Sequence, residues 1–249
     1  LNSDIEVTPN WIKPVIDLME KDKTIAACQP KLLSYHNRSE FEYAGAAGGY
    51  IDKFGYPFCR GRLFLDIEKD NGQYNDNCEV FWATGACMFV RAELYHKHGG
   101  LDADFFAHME EIDFCWRLKN AGHKIMYCAE SSVYHIGGGT LPKQSWRKTY
   151  LNFRNNISLL YKNLPSSQLL PVFVVRFPLD GIAALKFLAD GSFKDFYAVM
   201  RAHFHFYRNF GRIRKKRKAN KPHIRVGCIY ESNLVFDYHL RKKKKFTDL

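Results

Sequence analysis

The chain has 249 residues and a formal net charge of +11, and 46% of its residues are hydrophobic. This composition excludes a disordered chain, a collagen-like repeat and a small disulfide scaffold, and the length allows one large domain with or without an extension. The charge is uneven, because residues 201–249 hold 15 Lys/Arg against 3 Asp/Glu. We therefore expect a nearly neutral globular body that carries a strongly basic tail.

Seven scattered cysteines form no CxxC pair and no spacing typical of a zinc site, which favours free thiols in a reducing cytosol. No signal peptide opens the sequence, and the longest apolar run, 169–175, falls far short of the roughly 20 residues of a spanning helix. Because the sequence begins at Leu1 in the middle of a motif, we expect a piece of a longer protein.

Hydrophobic spacing predicts a helix over 10–21, followed by a short apolar strand over 24–33. Residues 34–78 have weak periodicity, which indicates long loops. A second apolar run, 80–90, is interrupted by a Thr-Gly-Ala turn that allows close backbone approach.

The next segments are a helical turn over 93–98, the clearest helix over 108–120, and two short strands over 124–128 and 131–136. A flexible glycine run follows, and from residue 142 onward the pattern becomes helical.

Asp4 and His135 are the candidate metal ligands. Asp4 comes before a turn, where a carboxylate can hold Mg²⁺ or Mn²⁺, and such ions can bridge a diphosphate. His135 ends an apolar strand just before the glycine run. Taken alone, Asp4 is also typical of a turn or helix cap, and a lone histidine is usually structural.

Three carboxylates, those of Glu110, Glu111 and Asp113, crowd the first turn of the helix over 108–120. One interpretation is favourable charge at a helix N-terminus. The other is a general base, because repulsion among the carboxylates raises the pKa of at least one of them.

Together, these motifs and their order resemble the inverting nucleotide-sugar glycosyltransferases of family 2, and most closely the rhamnosyltransferase-like branch of bacterial surface-polysaccharide assembly. Three motifs of that family, NxDxE, W-x-TGA and EDxDLCxRxxxxG, are similar to three stretches of this chain. They are Asn2/Asp4/Glu6, Trp82/Thr84/Gly85/Ala86, and Glu110 to Arg117 with Gly122. A histidine after the next strand, here His135, often completes the metal site.

The resemblance implies an α/β fold: the C-terminal half of a Rossmann-like, GT-A-type nucleotide-diphospho-sugar transferase with a helical C-terminal extension. Residues 1–140 would be the metal- and acceptor-binding half, and 141–249 a helical, basic extension. The family's N-terminal nucleotide-binding half would be missing, so we expect the chain to be inactive alone.

The implied reaction is transfer of a sugar, such as rhamnose or another hexose, from a nucleoside diphosphate to a glycan or lipid-linked acceptor with inversion. Glu111 would be the catalytic base, although the family usually has Asp there, and Asp4 with His135 would hold a divalent cation, Mn²⁺ or Mg²⁺. The implied substrate-binding residues are Asn2, Trp82, Thr84, Gly85, Glu110 and Asp113.

The basic tail allows three interpretations: a membrane anchor, a solvated or packed tail, and a nucleic-acid site. An aromatic stripe over 193–207 next to the basic blocks 212–218 and 241–245 favours an anionic membrane over nucleic acid, although such a stripe can equally be core packing. We therefore expect a peripheral protein on the inner face of the plasma membrane. The rival hypothesis is a non-catalytic basic module that docks on membrane or nucleic acid.

Overall fold

A computed structural model describes residues 1–137, 145–220 and 226–249. Part of the predicted glycine run and the predicted start of the helical region at residue 142 lie outside these residues. The backbone divides into two compact units. Unit 1 comprises Leu1–Gly100, Phe114–Gly139 and Val226–Leu249, and unit 2 comprises Leu101–Asp113 and Thr140–Arg225.

Strands and helices alternate irregularly along the described residues, in a mixed α/β arrangement, which confirms the α/β class. In chain order they are β1 (Ile5–Val7), α1 (Ile12–Lys21), β2 (Ile25–Ser34), β3 (Gly49–Asp52), β4 (Pro57–Cys59), β5 (Arg62–Leu63), β6 (Asp66–Ile67), β7 (Cys78–Val80), β8 (Phe89–Val90), α2 (Ala92–Lys97), α3 (Glu110–Asn120), β9 (Lys124–His135), α4 (Trp146–Asn163), α5 (Ser166–Ala189), α6 (Phe193–Arg208), α7 (Phe210–Asn220), β10 (Ile229–Tyr230) and α8 (Leu234–His239).

The main sheet of unit 1 has the order β1-β9-β2-β8, and β7 also pairs with β9. Strands β2 and β9 are parallel, and the other pairs are antiparallel. The register of β1 and β9 sets Ile5 opposite His135, and the amide of Ile136 donates to the carbonyl of Asp4 at 3.1 Å. This register brings the backbone of Asp4 to the end of β9.

Strand β2 is buried along nearly its whole length, as expected of a central strand, and it buries Gln29 and Lys31 as well as its apolar residues. Val15 and Met19 of α1 pack with Ile25, Cys28 and Cys128 to form a core cluster. The predicted helix over 10–21 and strand over 24–33 are thus confirmed. The two strands predicted over 124–136 form one strand, β9, whose pairing with β2 is irregular between Pro30 and Lys31.

Residues 34–78, predicted as long loops, contain the four short strands β3 to β6, which form a second sheet with β10. Strands of two to four residues are too short to show an alternating pattern, so sequence periodicity does not reveal them. The side chains of Phe58, Leu63, Leu234 and Tyr238 form the buried cluster of this region.

The last segment of the chain, Val226–Leu249, folds with this second sheet in unit 1. Asp52 accepts a hydrogen bond from the amide of Leu234 at 2.9 Å, and Lys244 pairs with Asp66 at 3.0 Å. The structural division therefore differs from the predicted boundary at residue 140, because aromatic residues of the C-terminal segment complete the second sheet's core. The functions assigned to 1–140 and 141–249 stay predictions.

Unit 2 is helical over residues 146–220, where helices were predicted. Ile157, Phe206 and Ile213 form its buried cluster. The guanidinium of Arg217 donates to the carbonyls of Tyr161 and Leu164 at 2.6 Å each, which satisfies carbonyls at the end of α4.

Two further features bear on the sequence expectations. All seven cysteines are free thiols in the structure. Among the helices that the structure describes, none combines the length and the apolar character needed to cross a bilayer.

Candidate functional site

Asp4 and His135 meet at the paired ends of β1 and β9. Asp4 Oδ2 lies 3.2 Å from His135 Nε2, and His135 is largely buried while Asp4 stays partly accessible. The strand register described above accounts for this approach, since the backbones of the two residues are tied at the end of β9. One oxygen donor and one nitrogen donor thus converge at the edge of the main sheet.

Glu42 is a third member of this cluster and was not among the residues predicted from the sequence. Its Oε1 lies 3.3 Å from His135 Nδ1, and its Oε2 accepts a hydrogen bond from the amide of Ala44 at 2.5 Å. Burial favours the neutral imidazole, but the carboxylates of Glu42 and Asp4 outweigh it and raise the pKa of His135. Glu42 lies in the stretch predicted as loop, where no motif marked it.

The carboxylate oxygens and imidazole nitrogens of this cluster include some, but not all, of the ligands that a divalent cation needs. Within the described residues, no group of three His, Cys, Asp or Glu side chains is arranged to hold a metal ion. Nε2 of His135 nevertheless faces the carboxylate of Asp4, and Nδ1 faces that of Glu42. In metal sites, a histidine that binds the metal through one ring nitrogen typically contacts a carboxylate through the other. Asp4 and His135 are therefore the side chains of this cluster that could contact a cation.

The second candidate region is the segment just before α3, in unit 2, where the backbone is strained. Phe106, His108 and Met109 have φ angles of 64°, 69° and 70°, a conformation that non-glycine residues rarely adopt. The side-chain amide of Asn155 holds the segment by donating to the carbonyls of Phe105, Ala107 and His108. Strain of this kind persists only where the surroundings enforce it, and it is frequent at functional sites.

Glu110 and Glu111 begin α3 directly after this strained segment. Within the described part of the chain, one oxygen of each carboxyl group, Oε2, is buried and has no hydrogen-bond partner, although both residues are partly accessible. Desolvation, with a further contribution from the charge of Glu110, raises the pKa of Glu111 to about 8. Burial also raises the pKa of Glu110. The expectation of a raised pKa among these carboxylates thus agrees with the geometry.

Asp113, the third acidic residue of this turn, has a different environment. Its side chain is fully buried, its Oδ1 lies 2.9 Å from Lys162 Nζ, and the same oxygen accepts from Asn163 Nδ2 at 2.8 Å. Lys162 also pairs with Asp102 at 2.6 Å. Asp113 therefore ties the start of α3 to α4, and its assignment as a substrate-binding residue stays a prediction.

Three residues of the Trp-x-Thr-Gly-Ala motif, Trp82, Thr84 and Ala86, are buried in unit 1. The indole nitrogen of Trp82 donates to the carbonyl of Tyr50 at 2.9 Å, and its ring packs on Gly49, where an added Cβ would lie 2.1 Å from it. Thr84 donates to the carbonyl of Ala44 at 2.6 Å, and its amide donates to Gln29. These contacts leave Trp82 only 4% exposed, so its flat faces are occupied by the protein.

Gly85 of this motif and the motif residues Asn2 and Glu6 lie at the surface. Gly85 is exposed, and so is Asn2, whose backbone amide donates to the carbonyl of Ala86 at 2.8 Å. Glu6 is exposed and pairs with Arg38 at 2.9 Å. The backbone hydrogen bond between Asn2 and Ala86 therefore joins the first motif to the second within unit 1.

Comparison with known proteins relates the chain to segments of glycosyltransferases. It is 36% identical over 56 residues to N-acetylglucosaminyl-diphospho-decaprenol L-rhamnosyltransferase of Mycobacterium tuberculosis, covering 22% of this chain and 18% of that protein. It is 31% identical over 74 residues to the low-salt glycan biosynthesis hexosyltransferase Agl10 of Haloferax volcanii, covering 29% of this chain and 24% of that protein.

A longer match is weaker. The chain is 25% identical over 141 residues to the O-antigen biosynthesis protein RfbC of Myxococcus xanthus, covering 54% of this chain and 10% of that protein. The matches thus span less than a quarter of each relative's length, and no family model matches the chain. These partial similarities support a relationship to glycosyltransferases.

One solved structure, GalNAc-T7 with UDP, GalNAc and Mn²⁺, aligns with 65% of this chain and 30% of its own at 15% identity. The TM-score of this alignment is 0.45.

Proposed function

We propose that the chain is part of an inverting glycosyltransferase that moves a sugar from a nucleoside diphosphate to a glycan or lipid-linked acceptor. The observation that carries this proposal is Glu111, a carboxyl group with a buried, unpartnered oxygen and a pKa near 8 at the start of α3. The partial similarity to a rhamnosyltransferase and a hexosyltransferase supports the reaction class. Assignment to family 2 and to rhamnose as the sugar belongs to this proposal.

Glu111 would act as the general base. A base works best when its pKa lies near the working pH, because it is then both available in its charged form and strong enough to take a proton. The raised pKa of Glu111 meets that condition, whereas an ordinary glutamate, with a pKa near 4.5, would be a weak base toward a sugar hydroxyl. Glutamate is one methylene longer than the aspartate usual at this position in the family, but it carries the same carboxylate group.

Glu110 would support this role and contact the acceptor. Its charge opposes ionisation of Glu111 until the pH reaches the neutral range. A hydroxyl that donates to the unpartnered oxygen of either carboxyl group would replace the hydrogen bonds that the described structure does not supply.

Asp4 and His135 would bind the cation, Mn²⁺ or Mg²⁺, and Glu42 would orient the imidazole so that Nε2 faces Asp4. When bound, the cation would neutralise charge on the leaving diphosphate. The nitrogen ligand favours Mn²⁺. Asn2 and Gly85, both exposed, would contact substrate, while Trp82 and Thr84 would act by shaping the backbone around them.

The experiment measures Mn²⁺ binding by the 249-residue chain and sugar release from a panel of nucleoside-diphosphate sugars by the full-length protein. We expect Asp4→Asn to weaken Mn²⁺ binding at least about tenfold and to reduce sugar release in parallel. The matched control is Asp17→Asn, an exposed carboxylate of α1 that pairs with Lys13. Unchanged Mn²⁺ binding in Asp4→Asn, or no sugar release from any donor, would contradict the proposal.

A further inference from the structure

Helix α5 has an inverted distribution of polar and apolar side chains. Arg176 and Asp180 are buried and pair at 2.8 Å, and His203 of α6 lies 3.1 Å from the second oxygen of Asp180. Most water-soluble helices bury an apolar face and expose charge. Of the three charged residues of α5, only Lys186 is exposed.

The outward side of α5 is apolar instead. Its aliphatic side chains recur along one side of the helix, and four of them are more than 60% exposed: Leu170, Val174, Ile182 and Leu185. The buried residues Val172, Arg176, Asp180 and Ala184 recur at intervals of four on the opposite side. Solvent exposure of this many large aliphatic side chains on one face marks a contact surface.

Helix α6 exposes the aromatic stripe found in the sequence. Five of its residues are more than half exposed: Phe193, Tyr197, Met200, Phe204 and Tyr207. The buried residues of α6 (Ala198, Val199, Ala202 and Phe206) lie on the opposite side of the helix at 3.6 residues per turn. The stripe is therefore exposed, which argues against core packing, an interpretation that the sequence left open.

The two exposed surfaces adjoin. The rings of Phe177 in α5 and Tyr207 in α6 are 6.4 Å apart, and Phe173 and Phe206 stack at 6.2 Å. We call the nine exposed residues just named, four in α5 and five in α6, the α5–α6 face.

Basic side chains border this face. Lys194, Arg201 and Arg208 of α6 are exposed and spaced seven residues apart, which sets them about 60–100° from Phe193 around the helix. The acidic residues within α5 and α6 are Asp180, which is buried, and Asp195, which accepts from Ser192. The border of the aromatic stripe therefore carries positive charge.

We propose that the α5–α6 face lies on the anionic surface of a lipid bilayer, with its aromatic and aliphatic side chains in the headgroup region and the basic border on lipid phosphates. Aromatic rings beside basic side chains are typical of helices that lie in the membrane interface. The charge complementarity favours an anionic bilayer over an apolar protein surface. The inner leaflet of the plasma membrane carries this charge.

Intramolecular contacts limit which basic residues are available to bind the membrane. Lys216 pairs with Asp102 and Asp104 at 2.5 Å each, and Arg217 is buried, so the block 212–218 is partly occupied within unit 2. Lys244 of the block 241–245 pairs with Asp66 in unit 1. The inferred membrane contact thus centres on α5 and α6, whereas the prediction from the sequence combined the aromatic stripe with the charge of the block 212–218.

The experiment is flotation of the full chain with phosphatidylcholine vesicles, with and without phosphatidylglycerol. We expect binding that requires phosphatidylglycerol and weakens at high salt. The double variant Lys194→Gln/Arg208→Gln should bind about 30-fold more weakly, since each basic side chain near an anionic surface contributes roughly fivefold. The matched control neutralises two exposed lysines of unit 1, Lys13→Gln/Lys23→Gln, and should bind normally.

The apolar contribution is tested with Phe204→Ser and Leu185→Ser, each of which should reduce vesicle binding about tenfold or more. Phe236→Ser and Leu65→Ser change exposed side chains of unit 1 and serve as matched controls. Because all four positions are exposed, circular dichroism should show unchanged folding. Absence of vesicle binding, equal binding by test and control variants, or self-association through this face without vesicle binding would overturn the proposal.

Discussion

The two carboxylate clusters of this protein differ in how their charges are compensated. In unit 1, Asp4 and Glu42 lie on either side of His135, so each has a nitrogen within 3.3 Å. In unit 2, Glu110 and Glu111 each keep a buried oxygen without a partner in the described residues. We propose that the first cluster holds a cation, and the raised pKa of Glu111 keeps a proton on the second cluster near neutral pH. Carboxylates of one protein thus acquire different chemistry from their surroundings alone.

The largest effect that we predict follows from changing Glu111. In the full-length protein, Glu111→Gln should lower the turnover rate about 100-fold or more, the range expected when a general base is lost. Donor affinity should change little, because the proton transfer concerns the acceptor. Steady-state kinetics with Glu93→Gln, an exposed glutamate of α2, as control will measure this. Near-normal turnover in Glu111→Gln would remove Glu111 from the mechanism.

Asp113 lies two residues from Glu111, but its carboxylate pairs with Lys162 and accepts a hydrogen bond from Asn163. Asp113→Asn should lower the free energy of unfolding by about 2 kcal/mol, less than for an isolated buried pair because Lys162 keeps Asp102. Urea denaturation will measure this change. The control is Asp17→Asn, which removes the exposed partner of Lys13 and should change the free energy of unfolding by less than about 0.5 kcal/mol. Lost turnover with unchanged stability in Asp113→Asn would instead make Asp113 a functional residue.

A smaller effect is expected from Glu42. Glu42→Gln removes the carboxylate beside His135 Nδ1 and should weaken Mn²⁺ binding about tenfold at pH 9, where competition from protons is weakest. At pH 6 the loss should be smaller, because the variant also lowers the pKa of His135 and so reduces competition from protons. Calorimetric titration of the chain with Mn²⁺ will test this. Equal Mn²⁺ affinity of Glu42→Gln and the native chain at pH 9 would exclude an orienting role.

The smallest effect concerns stability and pH. Because the folded pKa of Glu111 is about 8 and its ordinary value is 4.5, the unfolded state releases this proton first as the pH rises, and the native chain loses stability between those values. The glutamine side chain of the Glu111→Gln variant does not titrate. The free energy of unfolding of this variant, relative to that of the native chain, should therefore rise by about 1 kcal/mol or more between pH 5 and pH 9. Denaturation at both pH values measures the difference. A stability difference independent of pH would show that Glu111 ionises normally.

Part of this arrangement could be predicted from the sequence. The motif positions of Asp4 and His135 predicted a shared site, and the side chains do meet, through the register of β1 and β9. The contact of Glu42 with His135 could not be predicted, because Glu42 lies between β2 and β3 in a stretch without hydrophobic periodicity. The left-handed backbone at His108 and Met109 could not be predicted either, because no glycine occurs there.

The helical region shows the limit of periodicity more clearly. The spacing of Phe193, Tyr197 and Phe204 predicted a stripe on one side of α6, but a period cannot tell whether that side faces the core or the solvent. Only the packing of Ala198 and Phe206 on the opposite side decides the question. The return of the C-terminal segment to unit 1 depends on contacts distant in sequence, such as that of Asp52 with Leu234, which no local pattern contains.

The ionisation of Glu111 is the most direct test of the difference between the two clusters. The chain would be labelled with ¹³C at the glutamate side-chain carboxyl, its NMR resonances would be followed from pH 4 to pH 10, and the Glu111 signal would be identified by its loss in Glu111→Gln. The account predicts a midpoint for Glu111 near pH 8. A midpoint near the ordinary value of 4.5 would contradict the assignment of Glu111 as the general base.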